Sequence, residues 1–175
     1  ILGTTGVVRP FSCAAWIASI HRGIDVARAE GTPHVAGCTG ATSERVVQHL
    51  YGLPDHAMLD MGDFAGGMLK YLAKHPVARV TIGGGIGKMT KLMQGAVDLH
   101  SARSQVDFAA LAEAMDQPQI AQANTVLEAY QMIGKPLADN VAHGALEQVQ
   151  AKFPQMQLDI VVIDRAGAII GRAGP

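Results

Sequence analysis

Cysteine is scarce. The chain has two, Cys13 and Cys38, far apart and in no CxxC or Cys/His spacing. That excludes a disulfide framework and a cysteine-based zinc site, and it fits a reducing compartment. Aromatic residues make up 5% of the sequence, and charge of neither sign dominates: 14 Lys and Arg stand against 15 Asp and Glu, a net charge of −1. A nucleic-acid partner is therefore not expected, since both the basic footprint and the stacking side chains are lacking. No apolar run reaches the roughly 18 residues that a membrane span needs. Ile1-Leu2-Gly3 is not the start of a secretory signal. The chain opens without an initiator methionine, so upstream sequence is expected. A cytoplasmic protein with no metal site of its own is the reading from these absences.

What the chain does have is glycine, 20 residues of 175, set between apolar runs that bring the hydrophobic share to 49%. Residues 1–175 read as a single α/β domain, with a turn-rich opening segment over 1–11. Ser12 reads as an N-cap, and Cys13, Trp16, Ile17, Ile20, Ile24 and Ala27 follow at helical spacing. Strands are expected at 34–39, 57–61 and 77–82, each followed by a glycine-bearing loop and then a helix (44–50, 64–74, 88–96). Past His100 the pattern predicts helices at 107–115, 119–132 and 138–152, then a strong strand at 158–163 and a short partner at 168–170. Strand–loop–helix repeated three times predicts a mostly parallel sheet with helices on both faces, Rossmann-like, and a helical C-terminal region ending in a short strand pair.

In such sheets ligands bind where strand ends lead into helix N-termini. The first such loop holds Gly37, Thr39, Gly40, Thr42 and Ser43; Asp60 ends the next strand and can accept ribose hydroxyls. Gly83 to Gly87 reads as a third loop able to cradle a ligand. It is no Walker loop, because Ile82 and Met89 replace the required glycine and hydroxyl residue. Lys88 and Lys91 follow, three apart on one helix. His100, Ser101 and Arg103 form a polar cluster suited to an anionic ligand, with Ser104 read as the cap of the next helix. Both cysteines read as buried small hydrophobes. These features by themselves give a small-molecule-binding α/β domain.

The motifs also resemble a known family. Gly3-Thr4-Thr5-Gly6-Val7-Val8-Arg9-Pro10 with Ser12, Thr39-Gly40 to Ser43-Glu44, Met61-Gly62-Asp63-Phe64, Gly87-Lys88 with Lys91-Leu92 and Gly95, and His100-Ser101 occur in the order and spacing of cobalt-precorrin-5B (C-1)-methyltransferases, the CbiD family. The chain resembles the C-terminal half of that family; the N-terminal half is missing. The resemblance implies a methyltransferase of the EC 2.1.1 type, acting in cobalamin synthesis. It implies S-adenosyl-L-methionine as methyl donor and a cobalt-containing tetrapyrrole as acceptor, the cobalt arriving with the substrate. On this reading Asp63 and His100 are catalytic. Gly37, Thr39, Gly40, Thr42, Ser43, Asp60, Gly62 and Phe64 hold the donor, and Arg9, Gly85, Lys88, Lys91, Ser101 and Arg103 hold the acidic tetrapyrrole. The missing half of the family chain is expected as a partner, and self-association is open. Two other readings stand beside it: a nicotinamide-dependent oxidoreductase, and a non-catalytic corrinoid-binding or oligomerisation domain.

Overall fold

A computed structural model describes residues 12–175. The opening segment, with Arg9, lies outside the described residues. The chain runs α1 (Cys13–Ala29), β1 (His34–Cys38), α2 (Ala41–Tyr51), β2 (Met58–Leu59), α3 (Ala65–Leu72), β3 (Arg79–Gly85), α4 (Ile86–Met93), α5 (Phe108–Met115), α6 (Val126–Ile133), α7 (Lys135–Lys152), β4 (Gln157–Ile163) and β5 (Ile169–Ala173). The five strands form one sheet in the order β2-β1-β3-β4-β5. The first four are parallel and β5 pairs antiparallel with β4, as the closing strand pair requires.

Side-chain alternation along the strands divides the core into two clusters. Val35, Val80, Ile82, Ile160 and Val162 pack with α1, α3, α4 and α7. Ala36, Cys38, Val161 and Ile163 pack with Val47 of α2. Both faces of the sheet are thus covered by helix, and the apolar stripe read on α1 is the one that buries Ile20, Ile24 and Ala27. The chain leaves β1 for β2 on one side and reaches β3 on the other side of β1. The order therefore reverses between β1 and β3, and a crevice opens at their carboxyl ends.

Several expectations are corrected. Gly83, Gly84 and Gly85 are not a loop. They pair in β3, in register with Val161, Val162 and Ile163, and the strand runs directly into α4. Their lack of side chains serves packing: a Cβ on Gly83 would lie 2.6 Å from Val47, and one on Gly84 2.7 Å from the Thr39 hydroxyl. The strand expected over 57–61 shrinks to Met58–Leu59, because a 3-10 turn occupies 55–57. The helix expected at 119–132 is two pieces, a 3-10 turn at 118–122 and then α6. The break is an N-cap: Thr125 Oγ accepts from the Glu128 amide (3.1 Å), and Glu128 accepts from the amide of the preceding residue, Asn124 (2.8 Å). Asp107, not Ser104, caps α5, accepting from the Ala110 amide at 2.9 Å.

A polar network crosses the opposite, amino-terminal end of the sheet. His34 Nε2 lies 2.7 Å from Thr81 Oγ, which donates to Asp159 (2.9 Å). Burial lowers the His34 pKa from its ordinary 6.5, with Arg79 pushing the same way and Asp159 opposing. The unfolded chain therefore binds a proton here at a higher pH than the folded one. Stability linked to His34 is fully present above about pH 6.5 and is lost as pH falls below that value. In urea unfolding, His34→Gln is expected to flatten the decline in stability between about pH 7 and 5. A decline as steep as in the parent would assign the acid sensitivity to other groups.

Candidate active site

The carboxyl ends of β1 and β3 carry a chain of adjoining cavities. One of about 460 Å³ is bounded by α1, the β1–α2 connection, the turn before α3, α4 and the segment after it. Thr39, Gly40, Asp60, Gly62, Asp63, Phe64, Lys88, His100 and Arg103 line it, all singled out from the sequence. A second cavity of about 280 Å³ shares Thr39 and Gly40 and adds Thr42, Ser43 and Gly85. Gly37, Lys91 and Ser101 line neither. Gly37 is buried in β1, where a Cβ would come 2.3 Å from Met68 Sδ, so packing alone accounts for it.

The turn that presents Asp63 is built by Gly62. Its φ of 55° lies in the left-handed region that glycine adopts freely, and its amide donates to Cys38 O at 3.0 Å, tying the turn to the end of β1. Asp63 does not cap α3: Phe64 occupies the cap position, with no side-chain cap bond. Instead Asp63 Oδ1 lies 2.9 Å from Lys88 Nζ. That contact is an ion pair without hydrogen-bond alignment, and the same Oδ1 is shut off from solvent and accepts no hydrogen bond among the described residues. Lys88 also donates to Thr39 O at 3.2 Å. Lys88 thus joins three walls of the cavity: α4, the β1 end and the Asp63 turn.

Lys91, one turn further along α4, donates to Leu99 O at 3.0 Å. It holds the base of the segment that carries His100. The His100 ring accepts at Nδ1 from the Ala102 amide (3.1 Å), so the neutral ring carries its proton on Nε2. Arg103 pairs with Asp98 and lies over the Phe64 ring, 5.9 Å from its centroid. The hydrogen bond from Arg103 holds the Asp98 carboxyl below its ordinary range. Glu44, in the first turn of α2, is shifted the other way by burial and then by the Asp60 carboxylate. The sulfur chemistry is quiet. Burial, and secondarily Glu44, push the Cys38 thiol up to about 12. Cys13, expected buried, is exposed at the start of α1 and borders the larger cavity.

Sequence reasoning missed several lining residues. Trp16 was placed on the core stripe of α1; its indole N–H donates to Asp60 O at 2.7 Å, and its ring meets Phe64 at 5.9 Å. The signal was available, since an indole N–H at a half-buried position needs an acceptor. Asp164 and Arg165 border the second cavity. They follow the carboxyl end of β4 as the glycine loop follows that of β1.

Residues 98–174 match the family model "CbiD, C-terminal domain". Proteins named cobalt-precorrin-5B C(1)-methyltransferase are similar over nearly the whole chain. The one from Bradyrhizobium sp. (strain BTAi1) is 55% identical, the alignment covering 98% of this chain and 49% of that protein. The one from Methylorubrum extorquens is 55% identical, covering 97% and 51%, and the one from Paramagnetospirillum magneticum 53%, covering 99% and 52%. The chain spans about half the length of the curated relatives it matches. No solved structure matches.

Proposed function

We propose, on the premise that this chain is a C-terminal half of the CbiD family, that it serves methyl transfer from S-adenosylmethionine to carbon 1 of cobalt-precorrin-5B in cobalamin synthesis. The observation that carries the reading is the 460 Å³ cavity at the β1/β3 reversal, with its two aromatic rings and two carboxylates. In a Rossmann-like arrangement this is where the nucleoside part of a ligand sits. Trp16 and Phe64 give an apolar, stackable wall; Asp60 lies at the β2 end, where a carboxylate meets ribose hydroxyls. Asp63 lines the cavity and brings to it a carboxylate, ion-paired to Lys88, suited to a cationic sulfonium.

The donor supplies the methyl group, and the chain supplies alignment. Holding donor and acceptor in line converts an encounter into an oriented reaction, and this accounts for several kcal/mol of barrier. Asp63 fixes the donor end and is itself fixed by Lys88. His100, with its proton on Nε2, donates a hydrogen bond toward the acceptor.

Gly40 offers the direct test. Its φ of 168° is extended backbone open to any residue, and among the described residues nothing lies within 4 Å of a Cβ placed there. Gly40→Val should therefore fold normally while its side chain enters both cavities. Donor affinity is expected to fall by about 1–3 kcal/mol. Calorimetry with S-adenosylhomocysteine, and with NAD as comparison, measures it. Unchanged affinity would remove this loop from the site, and binding of NAD alone would favour the oxidoreductase reading.

A further inference from the structure

The cations inside the larger cavity are engaged by the chain itself: Lys88 by Asp63 and Thr39, and Arg103 by Asp98. Lys91, behind the cavity wall, is held by Leu99. Two exposed arginines outside it, Arg45 on α2 and Arg165 after β4, form no ion pair among the described residues. Arg165 borders the 280 Å³ cavity and a third cavity of about 340 Å³ over the start of α4. Arg45 borders a groove of about 550 Å³ with His49, one turn on, and this groove shares Thr42 with the 280 Å³ cavity.

The segment carrying Arg165 is held in place. Asp164 accepts from the Ala168 amide at 2.8 Å, which turns its carboxylate into its own loop. Gly167 lies against the first turns of α2, a Cβ there being 3.5 Å from Val46 and 3.8 Å from Thr42. The two arginines thus border a trough made of two adjoining concavities that meet at Thr42, and α2 and α4 begin beside it with no side-chain cap bond among the described residues. Unpaired guanidinium groups bordering concave surface suit carboxylates, which they grip through two parallel hydrogen bonds.

We infer that the trough between Arg45 and Arg165 binds peripheral carboxylates of a macrocyclic acid, whose reacting edge reaches His100 at the cavity that holds the donor. The inference rests on the methyltransferase reading for the identity of the ligand, and on the unpaired arginines for its place. A macrocycle does not fit a 460 Å³ cavity together with a donor. Its rim has to extend over the neighbouring cavities, and Thr39 and Gly40 are the ridge between them.

The test titrates this chain with cobyrinic acid, a corrinoid with free peripheral carboxylates, and with its fully methyl-esterified form. S-adenosylhomocysteine is titrated in parallel. The parent is expected to bind the acid more tightly than the ester. Arg45→Ala/Arg165→Ala is expected to lose about tenfold or more in affinity for the acid, as loss of charged hydrogen bonds dictates, with ester and S-adenosylhomocysteine binding unchanged. Arg165→Lys should recover only part, since the ammonium lacks the fork. Equal binding of the acid by parent and double variant would overturn the inference, as would no binding of the acid by the parent. Arginine-dependent binding of the acid without any binding of S-adenosylhomocysteine would support the carboxylate trough and sink the methyltransferase reading.

Discussion

Arg79→Met is expected to destabilise the fold by about 3–5 kcal/mol, the cost of leaving one member of a buried ion pair uncompensated. Asp159 sits in the middle of β4 with its side chain fully buried, and Arg79 Nε reaches it at 2.9 Å. Thr81 and Tyr51 also donate to this carboxylate, so the charge is held by three donors from β3 and α2. Tyr51 lies between the guanidinium groups of Arg79 and Arg172, at 4.7 and 5.3 Å from its ring centroid. Burial and the bond to Asp159 raise the phenol pKa, which keeps it protonated and donating. Removing the guanidinium leaves the fully buried carboxylate with two neutral donors. Urea unfolding of the parent and of Arg79→Met measures the loss. Arg79→Met/Asp159→Leu should recover much of it, because the desolvated charge is then gone as well. A single-variant loss under about 1 kcal/mol would mean that the hydroxyl donors alone suffice to hold the charge.

That network was invisible in the sequence for a physical reason. His34, Tyr51, Arg79, Thr81 and Asp159 belong to four separate elements, and strand pairing together with the packing of α2 on the sheet brings them together. Local patterns were more legible. Ser12 caps α1 through the Ala15 amide, as its place before the apolar stripe indicates. β1 and β4 lie nearly at their expected bounds, whereas β3 starts two residues later and ends three residues later than expected. Gly83 to Gly85 misled because glycine marks a loop by conformational freedom and a strand by close approach. Which applies depends on Val47 and Thr39, distant in sequence. Thr125 followed three residues on by Glu128 is a helix-start pattern inside the span expected as one helix. At the site, Asp63 and His100 share one cavity, and the Leu99 amide bound to the Asp63 carbonyl, with Lys91 on the Leu99 carbonyl, ties their two segments through contacts that no spacing encodes. Lys88 and Lys91 read as ligand clamps from their charge; the structure engages both within the chain, and the free guanidinium groups lie elsewhere.

Asp63→Asn, introduced in the polypeptide that includes the other half of the relatives' length, is expected to lower kcat/KM for methyl transfer by about 100-fold, the scale of a reacting group displaced by about an ångström. The asparagine keeps the shape of the turn, since Gly62 and the Leu99 amide, which donates to the Asp63 carbonyl at 2.9 Å, fix its backbone. It removes the charge that Lys88 faces. Lys88 then keeps only Thr39 O, and the α3 turn is no longer tied to α4. The stability cost should stay within about 1 kcal/mol, because the pair is part exposed, at 37% and 21% of the side-chain surfaces. Loss of rate without loss of stability therefore separates an active-site role from a structural one. Donor affinity, read by calorimetry, divides the effect further. A fall in S-adenosylmethionine binding together with the rate places Asp63 on the donor sulfonium, whereas unchanged S-adenosylmethionine binding with a lower kcat places it on alignment at the acceptor. Full activity in Asp63→Asn would mean that the buried oxygen matters only to the ion pair, and the assignment of Asp63 to the chemistry would fall.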